Sequence, residues 1–390
     1  MMEKGYQEKE TDIEKRKRGS RFIPCLNKLP QEIVLDIFSR LPVESLLQCK
    51  RVSRSWNTLI SDPEFIKVHL LRASSSLVQQ YPDILVFSKS KKLFRLSHES
   101  IKSLSLPKDF SSFFVNSCNG LLAFPKYDHE HHKLFVDIWN PYTLKRTRCP
   151  SVVDIPLYNS SPPWNFAACG FGYDPILNEY KVVALLRKPL ANFEAVVCTI
   201  GSTSWRHIEE VPFKTFRKMK FNAVHLNGTF YWYTRSTKSI LGVGSFRIRD
   251  EKFGFVACPS LSSCYNIFGE GEKVDLSVLG GDLCLVDYAS HDNIVVWALK
   301  KHSGGDEVWT KQYVLTIPEH MYSMQLLYAS DNGEILLILG NYMADNKFVY
   351  YDSKENRYRD DETLTALLSS EKYPSTFVHI GSLVSPPLPR

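Results

Sequence analysis

A chain of 390 residues is too long for one ordinary core, so about two units are expected. With 44% hydrophobic and 23% charged residues it has the make-up of a globular protein, and a net charge of +6 is too mild for the concentrated basic field of a nucleic-acid binder. Its nine cysteines are scattered, with no C-x-x-C pair, which argues against a disulfide framework and fits reduced thiols in the cytoplasm or the nucleus.

Residues 1–22 mix Lys, Arg, Glu and Asp with few apolar groups and cannot bury enough surface to offset the entropy of ordering, so a disordered charged tail is expected. The tail lacks the apolar centre of a signal peptide, and no later run reaches the length of a membrane span. Lys15-Arg16-Lys17-Arg18 fits either a nuclear localisation patch or a plain solvated tail. Asn159-Ser160-Ser161 and Asn227-Gly228-Thr229 match glycosylation sequons that have no use without secretion.

Residues 23–72 read as short helices with prolines at the joints. Pro30 suits a first helical turn, where its missing N–H costs nothing, and Glu32 follows near that N-terminus. Ile33, Ile37 and Leu41 fall at i, i+4 and i+8 with Val34 and Phe38 beside them, one broad apolar face. Pro42 ends the element. A second helix is expected with Val43, Leu46 and Leu47, and a third with Val52, Trp56, Leu59 and Ile60. Asp62-Pro63 reads as an N-cap and first position of a fourth, carrying Phe65, Ile66, Leu70 and Leu71. Some forty residues of helix cannot build a self-sufficient core, so these apolar positions face either a partner or the rest of the chain.

This stretch resembles the F-box. Leu29-Pro30, Ile37, Leu41-Pro42, Ser45-Leu46-Leu47, Val52, Ser53, Trp56 and Leu59-Ile60 stand where that family's pattern puts them, and Ser61 to Phe65 continue it as in plant members. Ile33 stands where Leu is common, and Ser53-Arg54 where Cys-Lys is common. The resemblance implies docking on a Skp-type adaptor, and through it on a cullin. It makes Leu29, Pro30, Ile33, Ile37, Leu41, Pro42, Leu46 and Leu47 candidates for that contact, with Val52, Trp56 and Ile60 either contributing or packing internally.

After a linker at 73–82, residues 83–390 read as a repeat. A turn between apolar runs recurs at Gly120, Asn178, Gly228, Gly281 and Gly333, spaced by 58, 50, 53 and 52 residues. Asn-Gly between apolar runs is the strongest short hairpin signal, because both turn residues take positive φ. Each turn is followed by a second hairpin-like segment, often with an aromatic after its polar turn: Trp205, Phe253, Trp309 and Tyr358. Two hairpins per period of about fifty residues give four strands, the pattern of a propeller blade. Residues 83–98 and 376–385 can share one more blade and close the ring. The expected fold is therefore multidomain, a small all-α unit followed by an all-β propeller of six blades, with five or seven blades and a two-sheet sandwich as alternatives.

Here "NSCNGLLAF", "IWNPYT", "GFGYDPILNEYKVV", "STSWRHI", "LNGTFYW" and "LGGDLCLV" are similar to the plant F-box-associated interaction domain, related to kelch propellers. Only Gly280-Gly281 supplies a kelch-like glycine pair in a matching repeat.

No nucleophile elbow, P-loop, dinucleotide glycine motif or zinc signature is present in the sequence. Gly170-x-Gly172 and Gly242-x-Gly244 read as strand or turn glycines. Asp128-His129-Glu130-His131-His132 reads as a solvated loop rather than a metal site, because adjacent histidines rarely converge on one ion. Phe171, Tyr173, Trp205, Trp232, Trp297 and Trp309 read first as core or cross-strand aromatics and second as a ligand surface. Neither catalysis nor a cofactor is expected. The chain is expected to be the substrate receptor of a Skp–cullin–F-box ubiquitin ligase, its target an unknown protein and its target-binding residues unassigned. The loops Val152 to Phe166 and Ser260 to Lys273 are the candidates for that contact. A propeller enzyme and a scaffold outside a ligase are the alternatives.

Overall fold

The computed structural model describes residues 29–74, 83–87, 92–97, 100–107, 116–128, 130, 133–152, 166–187, 193–208, 211–214, 223–238, 240–261, 274–288, 293–301, 307–316, 323–330, 333–340, 346–368 and 375–388. The expectations for the N-terminal tail, for the three histidines of 129–132 and for nearly all of the loops 152–166 and 260–273 lie outside them. The chain falls into two compact units, Met1–Ala73 and Ser74–Arg390.

The first unit is helical: α1 Gln31–Ser39, α2 Val43–Cys49, α3 Arg54–Ser61 and α4 Pro63–Ser74. Pro30 and Pro42 stand one residue outside α1 and α2, as N-caps rather than first helical residues, and neither helix start has a side-chain cap. The Ser53 hydroxyl accepts from Trp56 N–H at 3.2 Å and starts α3. Asp62 accepts from Glu64 and Phe65 N–H at 2.9 and 3.2 Å and starts α4, as the sequence predicts. Val34, Phe38, Val43, Leu46, Ile60 and Phe65 make the buried core, and Trp56 meets Phe38 edge to face with ring centroids 5.0 Å apart.

The second unit is a six-bladed propeller. Blade 1 takes Asp83–Phe87, Leu93–Ser97, Ser100–Leu104 and, from the far end of the chain, Ser375–His379. Blade 2 takes Ser117–Cys118, Leu121–Asp128, Lys133–Trp139 and Arg146–Arg148. Blade 3 takes Phe166–Asp174, Glu179–Arg187, Phe193–Thr199 and Arg206–Ile208. Blade 4 has five strands, Phe213–Lys214, Val224–Leu226, Thr229–Ser236, Leu241–Arg247 and Lys252–Ala257, because two short segments share one edge of Thr229–Ser236. Blade 5 takes Val274–Leu279, Asp282–Asp287, Asn293–Lys301 and Glu307–Thr316. Blade 6 takes Ser323–Ala329, Glu334–Gly340, Asn346–Asp352 and Arg357–Asp360. Helix α5, Glu362–Leu368, follows; Asp361 caps it by accepting from Leu364 N–H at 2.9 Å, and it packs on Asn346–Asp352. Its pattern is too short to stand out in a strand-rich sequence.

The recurring turns join the first two strands of blades 2, 3, 5 and 6 and, in blade 4, Val224–Leu226 to Thr229–Ser236. Asn119 and Gly120 take φ of 52° and 77°, and Asn227 and Gly228 take 49° and 72°, so both central residues are left-handed and match the twist of the strands. The innermost strands Ser375–His379, Ser117–Cys118, Phe166–Asp174, Val224–Leu226, Val274–Leu279 and Ser323–Ala329 each lie against the next around the ring. The closing strand pairs antiparallel with Asp83–Phe87 over five residues, from Asp83 opposite His379 to Phe87 opposite Ser375. This pairing gives blade 1 its innermost strand and closes the ring by joining the two ends of the second unit.

Gly170 and Gly172 lie inside the innermost strand of blade 3, where a Cβ at either would come within 3 Å of Phe230 and, at Gly172, of the His225 ring. The bare strand lets His225 of blade 4 reach across blade 3, to 3.8 Å from the Cys118 sulfur of blade 2.

Candidate partner-docking surface

The candidate residues belong to the helical unit, and the structure sorts them by exposure. Ile33 and Ile37 are 48% and 37% exposed while Val34 and Phe38 are buried, so the stripe at i, i+4 and i+8 runs along the outer edge of α1. Leu41 at its end is half-buried and Pro42 is exposed. Leu29 and Pro30 continue the exposed apolar surface ahead of α1.

Four candidates stand differently. Leu46 has no exposed surface: on the seven-residue α2 it points with Val43 into the unit's own core. Ile60 is equally buried. Leu47 and Trp56 are half-buried, and the edge-to-face contact with Phe38 commits much of the Trp56 ring to internal packing. Val52 is 50% exposed but precedes the Ser53 cap, so it lies in the turn before α3 and not on that helix. Val68 and Leu71 on α4 add exposed apolar surface, and Val68 was missed because a helix wheel alone does not say which side the core takes.

Polar groups set the helices around this surface without entering it as reactive centres. The Asp36 carboxylate accepts from Arg40 Nε and Nη2 at 3.1 Å and from Arg72 Nη1 at 3.0 Å, which ties α1 to α4. The Arg40 and Arg72 hydrogen bonds hold the Asp36 carboxyl below the usual carboxylate range. Arg72 also reaches the Ser39 hydroxyl. Buried His69 places Nε2 at 2.9 Å from the Leu41 carbonyl oxygen, and burial lowers its pKa. The Asp36–Arg40 pair is visible in the sequence as an i, i+4 pair; the Arg72 and His69 contacts are tertiary and leave no local pattern.

In the propeller, Phe171 and Trp232 are core residues with 0% and 1% exposure. Tyr173, Trp205, Trp297 and Trp309 are partly buried and pack against the blade cores. Gly242 and Gly244 lie in the strand Leu241–Arg247, as a strand reading of that pattern requires. Asp128 accepts from Glu130 N–H at 3.0 Å, a local turn contact. Among the described residues no group of three or more His, Cys, Asp or Glu could hold a metal ion, and no helix is long and apolar enough to cross a membrane. An exposed apolar edge of this kind can bind a protein.

The family described as "F-box-like" matches residues 26–71, and the family described as "F-box associated beta propeller domain" matches residues 75–370. Curated relatives in Arabidopsis thaliana include F-box protein CPR1, 25% identical over 84% of this chain and 83% of that protein. An F-box/kelch-repeat protein from the same plant is 28% identical over 80% of this chain and 85% of its own length. Similar solved structures include TolB from Acinetobacter baumannii, with a TM-score of 0.43 and 9% identity over 81% of this chain and 72% of that one. A putative 6-phosphogluconolactonase from Bacteroides uniformis has a TM-score of 0.42 and 11% identity over 78% of this chain and 99% of that one. Likeness at that level carries no functional argument.

Proposed function

The chain belongs to the F-box proteins that carry an F-box-associated β-propeller domain, and on that premise we propose that it is the substrate-recognition subunit of a Skp–cullin–F-box ubiquitin ligase. The observation that carries the reading is the outward edge Ile33–Ile37–Leu41 with Pro42, where a small helical unit leaves apolar side chains uncovered. Desolvating such an edge against a complementary apolar groove is the usual source of affinity for helix docking. In this reading the Skp-type adaptor takes Leu29, Pro30, Ile33, Ile37, Leu41 and Pro42, with Leu47, Val52 and Trp56 at the margin, and the cullin is reached through the adaptor. The propeller holds a protein target, which is ubiquitinated and degraded, in the cytoplasm or the nucleus.

The chain itself performs no covalent step. It supplies proximity: a bound target's lysines are held near the conjugating enzyme, so a bimolecular encounter becomes an intramolecular one. Residues 73–82 act as the linker between the two functions, and residues 1–22 stay outside both.

The test is a paired capture from plant cells with the proteasome blocked. One bait is the full chain, and the other is the full chain with Leu41→Asp and Pro42→Asp. The reading expects adaptor and cullin on the first bait only, with at least one further protein on both. Adaptor held equally by both baits overturns the residue assignment, and adaptor on neither overturns the ligase role.

A further inference from the structure

Each blade ends in an outer strand whose far side pairs with no strand among the described residues. Such an edge offers a row of backbone N–H and C=O groups to any other strand, and short or charged edges discourage that pairing. Ser100–Leu104, Arg146–Arg148, Arg206–Ile208, Lys252–Ala257 and Arg357–Asp360 run for five, three, three, six and four residues, and each carries at least one Lys or Arg. The outer strand of blade 5, Glu307–Thr316, runs for ten. Its Val308, Trp309, Thr310, Tyr313, Val314 and Thr316 are β-branched or aromatic, the residue types that suit a strand. Val308 and Val314 are 44% and 47% exposed.

A bulge divides this strand. Trp297 stands opposite Lys311 and Val296 opposite Tyr313, so Gln312 is the extra residue. The regular part is Glu307-Val308-Trp309-Thr310-Lys311, paired without a break from Lys301 to Trp297. Alternation puts Glu307, Trp309 and Lys311 on one face and Val308 and Thr310 on the other. Glu307, Val308 and Lys311 are exposed. Trp309 is fixed by its bond to the Ala257 carbonyl oxygen at 2.9 Å, and Lys311 Nζ lies 5.4 Å from the centroid of the Trp297 ring.

Turned end for end, this segment complements itself. With Trp309 opposite Trp309 of a second copy, Glu307 of each copy falls opposite Lys311 of the other, and Val308 opposite Thr310. Opposite charges, an aromatic pair and β-branched pairs are the cross-strand neighbours that stabilise an antiparallel sheet. Other edges lack this match: self-pairing would set Lys102 against Lys102 in Ser100–Leu104 and Arg146 against Arg148 in blade 2. Arg357–Asp360 has both signs of charge, but Lys347 holds Asp360 at 2.9 Å and Glu334 holds Arg359 at 3.1 Å. In blade 5 the Glu307 carboxylate stands 4.0 Å from Lys301, the outer limit of an ion pair, so it can turn to a second copy.

We propose that Glu307–Lys311 is a self-association surface, at which two copies of this chain pair antiparallel, edge to edge, and join their blade 5 sheets into one. Blades diverge toward the rim of a propeller, so two rings can meet at one blade. The contact is one short strand from each copy, less than a permanent dimer buries, so association should be weak and concentration-dependent. The proposal is independent of the adaptor reading.

Sedimentation velocity of the full chain across a concentration series tests it, and the wild type should pass from monomer to dimer. Glu307→Lys and Lys311→Glu each set like charges opposite one another at two places, so each should weaken association by roughly tenfold or more. Both side chains are exposed, so circular dichroism and melting should not change. The two substitutions in one chain should restore association. An equal mixture of the two single variants should also associate, although neither does alone, because each supplies the charges the other needs. A wild type that stays monomeric overturns the proposal. So does association that the single variants leave unchanged, which would place the contact elsewhere, or a mixture that associates no better than its parts.

Discussion

The indole Nε1 of Trp205 donates to the carbonyl oxygen of Pro150 at 2.6 Å, so the fourth strand of blade 3 is fastened to the end of the fourth strand of blade 2. The arrangement recurs. Trp309 Nε1 donates to the Ala257 carbonyl oxygen at 2.9 Å, from blade 5 to blade 4, and the Tyr358 hydroxyl donates to the Thr316 carbonyl oxygen at 2.8 Å, from blade 6 to blade 5. Phe253 holds the matching place in blade 4; it has no donor and packs against Phe213 and Phe246. In blades 3, 5 and 6 the aromatic that ends the sequence repeat is therefore an interblade latch, apolar in its body and polar at its tip.

Tyr358→Phe isolates the polar tip. The ring stays and one hydrogen bond to a backbone carbonyl goes, so unfolding free energy should fall by about 1 kcal/mol. Urea unfolding with an unchanged m-value checks it. Wild-type stability in that variant would reduce the latch to simple packing.

Asn140 is the pivot of a second fastening. Its Nδ2 donates to the Ser382 and Val384 carbonyl oxygens at 2.9 and 2.7 Å, and its Oδ1 accepts from Tyr142 and Thr143 N–H at 2.8 and 3.1 Å. Ser382 in turn donates to the Asn119 carbonyl oxygen at 2.6 Å, in the turn where Gly120 leaves room for it. The segment after the closing strand is thus strapped onto blade 2. Asn140→Ala removes both donors to the strap and strands two backbone N–H groups, so stability should drop by roughly 2–4 kcal/mol. Carboxypeptidase should then shorten the C-terminus faster than in the wild type, and equal rates would show that the strap is held by other contacts.

What the sequence made legible was whatever has a period or a fixed local geometry. The Asn-Gly turns stand where positive φ is required, and their spacing counted five blades before the ends supplied a sixth. The apolar stripe of α1 was legible too, but not its direction: Ile33 and Val34 are neighbours, and only packing shows that Val34 goes in and Ile33 out. In the same way only packing shows that Leu46 goes in. Contacts between distant segments, such as Asp36 with Arg72 or Asn140 with Ser382, left no trace because nothing local demands them. The extra strand of blade 4 breaks the very regularity that exposed the repeat.

His379 makes the ring closure sensitive to acid. It is 1% exposed, stacked on Tyr142, with Nδ1 at 2.8 Å from the Ser117 hydroxyl. Tyr142 links Arg95 and Asp83, at 2.9 Å each, beside it. Burial, helped by the Arg95 charge, lowers the imidazole pKa to about 3, and burial lowers that of His225 to about 4. In the unfolded chain both titrate near 6.5, so between these values the unfolded state binds more protons. Their contribution is complete above pH 6.5 and is lost as the pH falls toward 3 to 4. The slope is up to about 1.4 kcal/mol per pH unit for each histidine. Between pH 6.5 and 5 most carboxylates keep their charge, so stability measured there should fall, and His379→Gln should flatten the fall even if it lowers the curve. A slope unchanged in that variant would place the titrating group elsewhere.

The outward and inward residues of the helical unit should separate binding from folding. Ile37→Glu puts a charge on an edge that is already 37% exposed, so the helices should keep their circular dichroism and melting behaviour. If that edge meets the Skp-type adaptor, the charge must be desolvated against apolar groups, and affinity should fall by tenfold or more. Leu46→Ala does the opposite: it empties a site with no exposed surface and should cost about 2–5 kcal/mol of stability. At a temperature where Leu46→Ala is still folded, its adaptor affinity should match the wild type. Calorimetric titration of the adaptor into both variants, with amide exchange to report folding, reads the two effects independently. Wild-type affinity in Ile37→Glu would move the docking surface off α1, and the exposed Val68 and Leu71 of α4 would then be the next apolar positions to substitute.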